Sequence, residues 1–198
     1  MSSNNGRAVL AAVDRDAARR AATDLLRALG ADVEAEGLQD TPRRVADAYA
    51  ELLTPRPFRA TTFPNEDGYD ELIVARSIPF HSLCMHHLLP FHGSAHIAYL
   101  PGERIIGLSK LGRVVEYFSR DLQLQERLTT QVADWLEREL APKGVGVVLE
   151  AEHLCMSLRG VQKLGAKTVT SALRGLVRED ARTRQEFLSL TSRSTGEQ

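Results

Sequence analysis

The sequence predicts an α+β domain in which an antiparallel sheet is covered by helices on one face. Three observations predict it. Apolar residues recur at spacings of three and four in some segments and alternate in others, which separates helices from strands. The segments come in the order two helices, two strands, two helices, two strands, and strand pairs linked by a helical stretch favour antiparallel pairing with one covered face. The chain has 198 residues, 43% of them hydrophobic, enough to bury a sizeable core in one ordinary domain.

In chain order, Ala18, Ala21, Ala22, Leu25, Leu26 and Leu29 mark one face of a helix over 15–29, with Gly30 as its stop. The segment DTPRRVADAYAELL begins a second helix. Asp40 or Thr41 serves as N-cap, Pro42 suits the first helical position, and Val45, Ala48, Tyr49 and Leu52 form one face. Four Pro and Gly residues between Thr54 and Asp70 make that stretch a connector. ELIVARSIPF and FHGSAHIAYL then read as strands, Ser109 to Ser119 and Gln125 to Leu140 as helices, and GVGVVLEAEHL and KTVTSALRGLV as the closing strands. The expected organisation is a frayed terminus over 1–14, a helical segment and connector over 15–68, the sheet-bearing domain over 69–190 and a flexible tail over 191–198.

Composition narrows the function. With 25 Lys plus Arg against 26 Asp plus Glu and a pI near 6.6, the chain lacks the broad basic surface that nucleic-acid binding needs. The opening MSSNNGRAVLAAVDRD carries too short an apolar run for a secretory signal, and no stretch approaches the roughly 18 apolar residues of a membrane span. A cytoplasmic protein without membrane or nucleic-acid partners is expected. Two cysteines are too few for a disulfide scaffold and suit a reducing compartment. Both of them, and all six histidines, lie between His81 and Cys155.

That crowding suggests a metal. Cys84 and His87 have the C-x-x-H spacing that lets thiolate and imidazole meet one ion from a tight turn, and Cys155 ends a predicted strand. Together they give a Cys2His set with a fourth position left for water, the arrangement of a catalytic zinc. The alternative is two cysteines that are small buried hydrophobes. His86 and His153 each lie within two residues of a proposed ligand and suit proton transfer there. His81, His92 and His96 are expected to take no direct part.

Cations offer a second constellation. If Ser109 caps the following helix, its first-turn amides with Lys110 and Arg113 on one side suit a phosphorylated ligand, and Arg159 is a further candidate. The same residues are equally read as solvated charges. Gln125 and Glu126 open the long helix, where Glu126 either complements the helix terminus or accepts paired N–H groups from a guanine edge.

Taken together, TPRRVADAYAELL, SLCMHHLLPFHGSAHIAYLP, IIGLSKLGRVVEYF, QLQERLT, HLCMSLRGV and RQEFL resemble the GTP cyclohydrolase I family over about Ala18 to Leu190. The resemblance implies the tunnelling fold, with a four-stranded antiparallel sheet, assembled as a toroidal homodecamer with sites at subunit interfaces. It implies Cys84, His87 and Cys155 as zinc ligands and His86 and His153 as the proton-transfer pair. Gln125 and Glu126 match the guanine-recognition segment, and Ser109, Lys110, Arg113 and Arg159 match positions around ribose and triphosphate. The implied reaction is hydrolysis of GTP at C8, releasing formate and forming 7,8-dihydroneopterin triphosphate. One departure stands out: the family's Cys-Glu-His-His reads Cys84-Met85-His86-His87 here. Replacing a carboxylate beside the metal by a thioether alters ligand basicity or substrate fit. It admits a paralogue with a changed product or purine nucleotide, and a non-catalytic nucleotide or pterin binder with a structural zinc is the third reading.

Overall fold

The computed structural model describes residues 12–192, and the frayed ends expected at 1–14 and 191–198 fall mostly outside the described residues. The chain divides after Thr54 into two compact units. In the first, α1 (Arg15–Ala28) is capped by Asp14, whose carboxylate accepts from the Ala17 amide at 2.9 Å. Gly30, with φ 87°, supplies the left-handed residue that ends it. Helix α2 (Thr41–Leu53) carries Pro42 in its first turn. Asp40 precedes it, but its carboxylate pairs with Arg43 and Arg44 and not with the helix amides. The buried residues are Ala22 on α1 and Pro42, Ala46 and Ala50 on α2. That differs from the face expected for α2, where Ala48 is exposed, and from the Leu25 and Leu29 stripe of α1, which is exposed too. Small side chains let two helix backbones approach, so alanines take the seam and longer apolar residues are left at its margin.

The second unit runs β1 (Thr62–Pro64), β2 (Ile73–Cys84), β3 (Pro90–Leu100), β4 (Arg104–Ile106), α3 (Leu108–Ser119), β5 (Leu122–Gln123), α4 (Gln125–Leu140), β6 (Gly144–His153), α5 (Leu154–Ser157), β7 (Lys167–Gly175), α6 (Leu176–Glu179) and α7 (Ala181–Ser192). The main sheet has the order β5-β2-β3-β6-β7, and β1 pairs with β4 inside the expected connector region. Its four long strands are antiparallel and are those anticipated from the alternation. Several elements add to the expectation, among them the short helices α5 and α6. Strand β5 contributes two parallel residues beside Leu83 and Cys84, and α7 extends the helical content after the last strand.

The period of two sorts the sheet into two faces. On one, Phe91, Ala95, Ile97 and Tyr99 of β3 and Val145, Val147 and Leu149 of β6 bury themselves with Leu111, Val114 and Phe118 of α3 and Leu128, Val132 and Leu136 of α4. On the other, Ala98, Val177 and Phe187 form a smaller cluster, with Val148 and Leu173 against it. Helices therefore lie on both faces, and the one-face expectation holds for α3 and α4 only. The reason is Phe187, fully buried on α7 and seated over β6. Among the described residues no helix is long and apolar enough to cross a membrane.

Gly146 makes that seat. A Cβ placed there would lie 2.8 Å from the Phe187 ring. Gly146→Ala is expected to lower stability by about 1–3 kcal/mol through overpacking, seen as a lower urea midpoint. Phe187→Leu in the same chain should recover part of it; purely additive losses would show that the two residues do not meet.

Candidate active site

The metal donors converge because two chain reversals fall at one end of the sheet. Cys84 is the last residue of β2, held by its amide to Leu89 O at 2.9 Å and by pairing with Gln123 of β5. The chain then turns tightly. The His87 and Leu88 amides both donate to Cys84 O, at 3.3 and 2.9 Å, and Leu88 takes φ 55°. This turn brings Cys84 Sγ to 3.8 Å from His87 Nδ1. A tetrahedral ion with ordinary zinc distances would separate the two donors by about 3.6 Å. Cys155 arrives from the other side, in the single turn α5 that follows β6, and the β3–β6 register places Phe91 opposite His153. One donor atom each from Cys84, His87 and Cys155 then lies within 4.8 Å of the others.

The chemistry of this donor set fits a soft divalent cation. Cys84 is buried and Cys155 half-buried, both as free thiols. Burial pushes the Cys155 thiol up first, and the adjoining Cys84 adds to the rise, whereas Arg159 pulls it down. Two thiols this close resist ionising together, and a cation between them removes the penalty. Among the described residues the cluster offers three donors, whereas a closed structural zinc site takes four.

His153 ends β6 beside this cluster. Its ring stacks on Phe91 with centroids 4.5 Å apart and planes 1° from parallel. Its Nε2 lies 2.8 Å from Gln125 Oε1. Burial lowers its pKa, and the nearby Glu126 carboxylate partly restores it. Glu126 is exposed, but Gln125 is 2% exposed and turned inward. Its amide nitrogen donates to Leu149 O, Thr168 O and Thr170 Oγ1 at 3.1, 2.9 and 3.1 Å. His86 is exposed, with its ring edge-on to His87 at 6.2 Å.

The cations divide. Arg159 lies near enough to Cys155 to lower its pKa. Ser109, Lys110 and Arg113 sit on α3, whose far end is tied to β2 by the Ser82 hydroxyl donating to Ser119 O at 2.5 Å. Ser109 is ten residues before Ser119, about 15 Å of helix away. Within one chain Ser109 and Lys110 therefore lie toward the end of α3 that is remote from the Ser82 tie, with Arg113 midway along the helix. Gly107, not Ser109, occupies the cap of α3, with no side-chain bond to the first-turn amides. Arg113 rests against Glu116 at 3.2 Å. His81, His92 and His96 share the opposite face of the sheet, and His96 Nδ1 there accepts from the Ser77 amide at 3.4 Å. A cavity of about 750 Å³ lined by His96, Val148, Glu150 and Arg184 opens on that face, away from the donors.

Sequence reasoning missed Phe91 and Thr170, both in contact with the His153 assembly. Phe91 is 62 residues from His153 and Thr170 is 45 from Gln125, so only strand register could have joined them.

Comparison with known proteins is consistent over most of the chain. The family model described as GTP cyclohydrolase I matches residues 18–192. GTP cyclohydrolase 1 of Aquifex aeolicus is 52% identical over 179 residues, covering 90% of this chain and 97% of that protein. The same-named protein of Streptococcus agalactiae is 51% identical, covering 86% and 94%. That of Deinococcus radiodurans is 52% identical, covering 83% and 78%.

Cobalt-loaded protein is expected to show thiolate charge-transfer absorption, which Cys155→Ala should abolish while leaving the metal-free protein's stability within about 1 kcal/mol of the parent. Unchanged metal affinity in that variant would remove Cys155 from the donor set.

Proposed function

Since the chain belongs to the GTP cyclohydrolase I family, we propose that it hydrolyses GTP at C8, loses that carbon as formate, rearranges the ribose and recloses to 7,8-dihydroneopterin triphosphate. It is an enzyme of that class, a hydrolase acting on a cyclic amidine carbon–nitrogen bond. The observation that carries the reading is the meeting of Cys84, His87 and Cys155 beside an imidazole anchored from behind.

The three donors would hold Zn2+ with one position open. When bound, the ion supplies Lewis acidity that brings the pKa of water toward neutrality. The chain's own residues do the rest. His153, backed by Gln125 and Phe91, is placed to carry a proton to the imidazole nitrogen of guanine as C8 is attacked, and His86 is the second proton carrier at the rim. Glu126 accepts the N1–H and exocyclic amino hydrogens of guanine, a pairing adenine cannot supply. Lys110, Arg113 and Arg159 hold the triphosphate, with Ser109 at the ribose. Gln125, whose amide is spent inside the fold, acts behind His153 and does not reach the base.

A site built this way needs more than one copy of the chain. Lys110 and Arg113 lie about 14 and 9 Å of helix before the end of α3 that is tied to β2 at Ser82, and Met85, Leu88, Met156 and Leu158, near the donors in sequence, are exposed apolar side chains. A ring of subunits, ten by family likeness, would cover these side chains and bring one copy's cations to another's metal. Free thiols serving a metal suit the cytoplasm.

A second reading rests on Met85, 42% exposed where the family motif carries Glu. Without the carboxylate, the reaction would stop at the ring-opened formamide or take another purine nucleotide.

Incubating zinc-loaded protein with GTP beside other purine nucleotides tests both readings. Formate and a fluorescent oxidised pterin from GTP are expected; neither appearing, with zinc bound, would refute the first. Met85→Glu with the parent's products and rates would refute the second. Light scattering should return the mass of ten chains, and an active monomer would contradict a shared site.

A further inference from the structure

We infer that two backbone carbonyls of neighbouring strands, acting through Gln125 and Thr170, fix the tautomer of His153 with the proton on Nε2, so that Nδ1 is the nitrogen that works on substrate. The inference deepens the reading of His153 as a proton-transfer residue and rests on it. Gln125 and Thr170 are then positioning residues, acting through the imidazole.

Leu149 O in β6 and Thr168 O in β7 both face the buried end of the Gln125 side chain, at 3.1 and 2.9 Å. Carbonyl oxygens only accept, so the group facing them must be the amide NH2. Flipping the amide would set its oxygen against two carbonyl oxygens and lose the hydrogen bonds they accept, each worth of the order of 0.5–1.5 kcal/mol. The amide orientation is therefore settled by the backbone, and its Oε1 is what points at His153. A carbonyl oxygen at 2.8 Å has no proton to give. The hydrogen in that bond belongs to His153 Nε2.

The threonines are ordered by the same logic. Thr129 Oγ1 is 2.7 Å from its helical neighbour's carbonyl, Gln125 O, and must spend its single hydrogen there. The 2.6 Å contact between Thr129 Oγ1 and Thr170 Oγ1 then takes its hydrogen from Thr170. Thr170 Oγ1 is left as an acceptor, and Gln125 Nε2 donates to it at 3.1 Å. The hydroxyl hydrogens of Thr129 and Thr170 and the imidazole hydrogen thus each have one direction, while the two amide hydrogens of Gln125 are shared among Leu149 O, Thr168 O and Thr170 Oγ1. The stacked Phe91 ring holds the imidazole plane, and among the described residues nothing hydrogen-bonds Nδ1, so that nitrogen is the one that takes up a proton from water and, as the imidazolium, passes it to substrate, while Nε2 keeps its own hydrogen on Gln125.

Neutron diffraction on perdeuterated, zinc-loaded protein tests the assignment directly. A deuteron on His153 Nε2 directed at Gln125 is expected, and an Nε2 without one would overturn the inference. Kinetics on GTP give the functional half. Gln125→Leu should lower kcat about 10²-fold, at the low end of what a positioned acid or base contributes, with KM for GTP within about threefold. Thr170→Val should lower kcat in the same sense and Thr170→Ser should restore it. A raised KM with kcat unchanged in Gln125→Leu would place Gln125 on the base instead and overturn its positioning role. Absence of GTP turnover in the parent would defeat the proposed reaction, whereas the deuteron position would still decide the tautomer.

Discussion

The antiparallel pairing of β3 with β6 is the constraint on which the site depends. It runs in unbroken register from Phe91 opposite His153 to Leu100 opposite Gly144. A slip of one residue would turn His153 to the opposite face and carry the α5 turn, with Cys155, away from the hairpin holding Cys84 and His87. The register is held by burial, since Ala95, Ile97 and Tyr99 must stay inward with Val145, Val147 and Leu149. It is also held by close approach. A Cβ on Gly93 would sit 1.9 Å from Glu150 O, so the strand at that point accepts glycine alone.

From this constraint the electrostatics follow. Two thiols and an imidazole brought together without a cation are a frustrated arrangement, in which burial and mutual proximity hold Cys155 protonated. The near-neutral chain supplies no diffuse positive field to relieve it. Relief must be local, from a cation held by the three donors and from Arg159. The polar network behind His153 is the opposite case, with Gln125, Thr129 and Thr170 all saturated and Gln125 and Thr129 buried. Such a network confers rigidity at little energetic cost, because no member is left unpaired.

Much of this was legible in the sequence, for physical reasons. The strands and the long helices announce themselves by period, and a C-x-x-H turn with a distant cysteine is a pattern metals impose. What was not legible depended on contacts across the fold. Gln125 next to Glu126 reads as half of a recognition pair, and only the β6 and β7 carbonyls show that it faces inward. Ser109, Lys110 and Arg113 read as a separate constellation for a phosphorylated ligand, and only the tie between Ser82 and Ser119 shows which way α3 runs relative to Cys84. Phe187 and the alanine seam of α2 were hidden because a single buried ring or a row of small residues makes a weak periodic signal.

The metal site proposed at the register-locked end of the sheet has two thiolates, one imidazole and a fourth position open. X-ray absorption at the metal edge of zinc-loaded protein tests it most directly. The expected shell has two sulfur donors at about 2.3 Å and two nitrogen or oxygen donors at about 2.0–2.1 Å, one of the latter exchanging for added ligand. A shell with one sulfur or none, or four donors that no added ligand displaces, would contradict it.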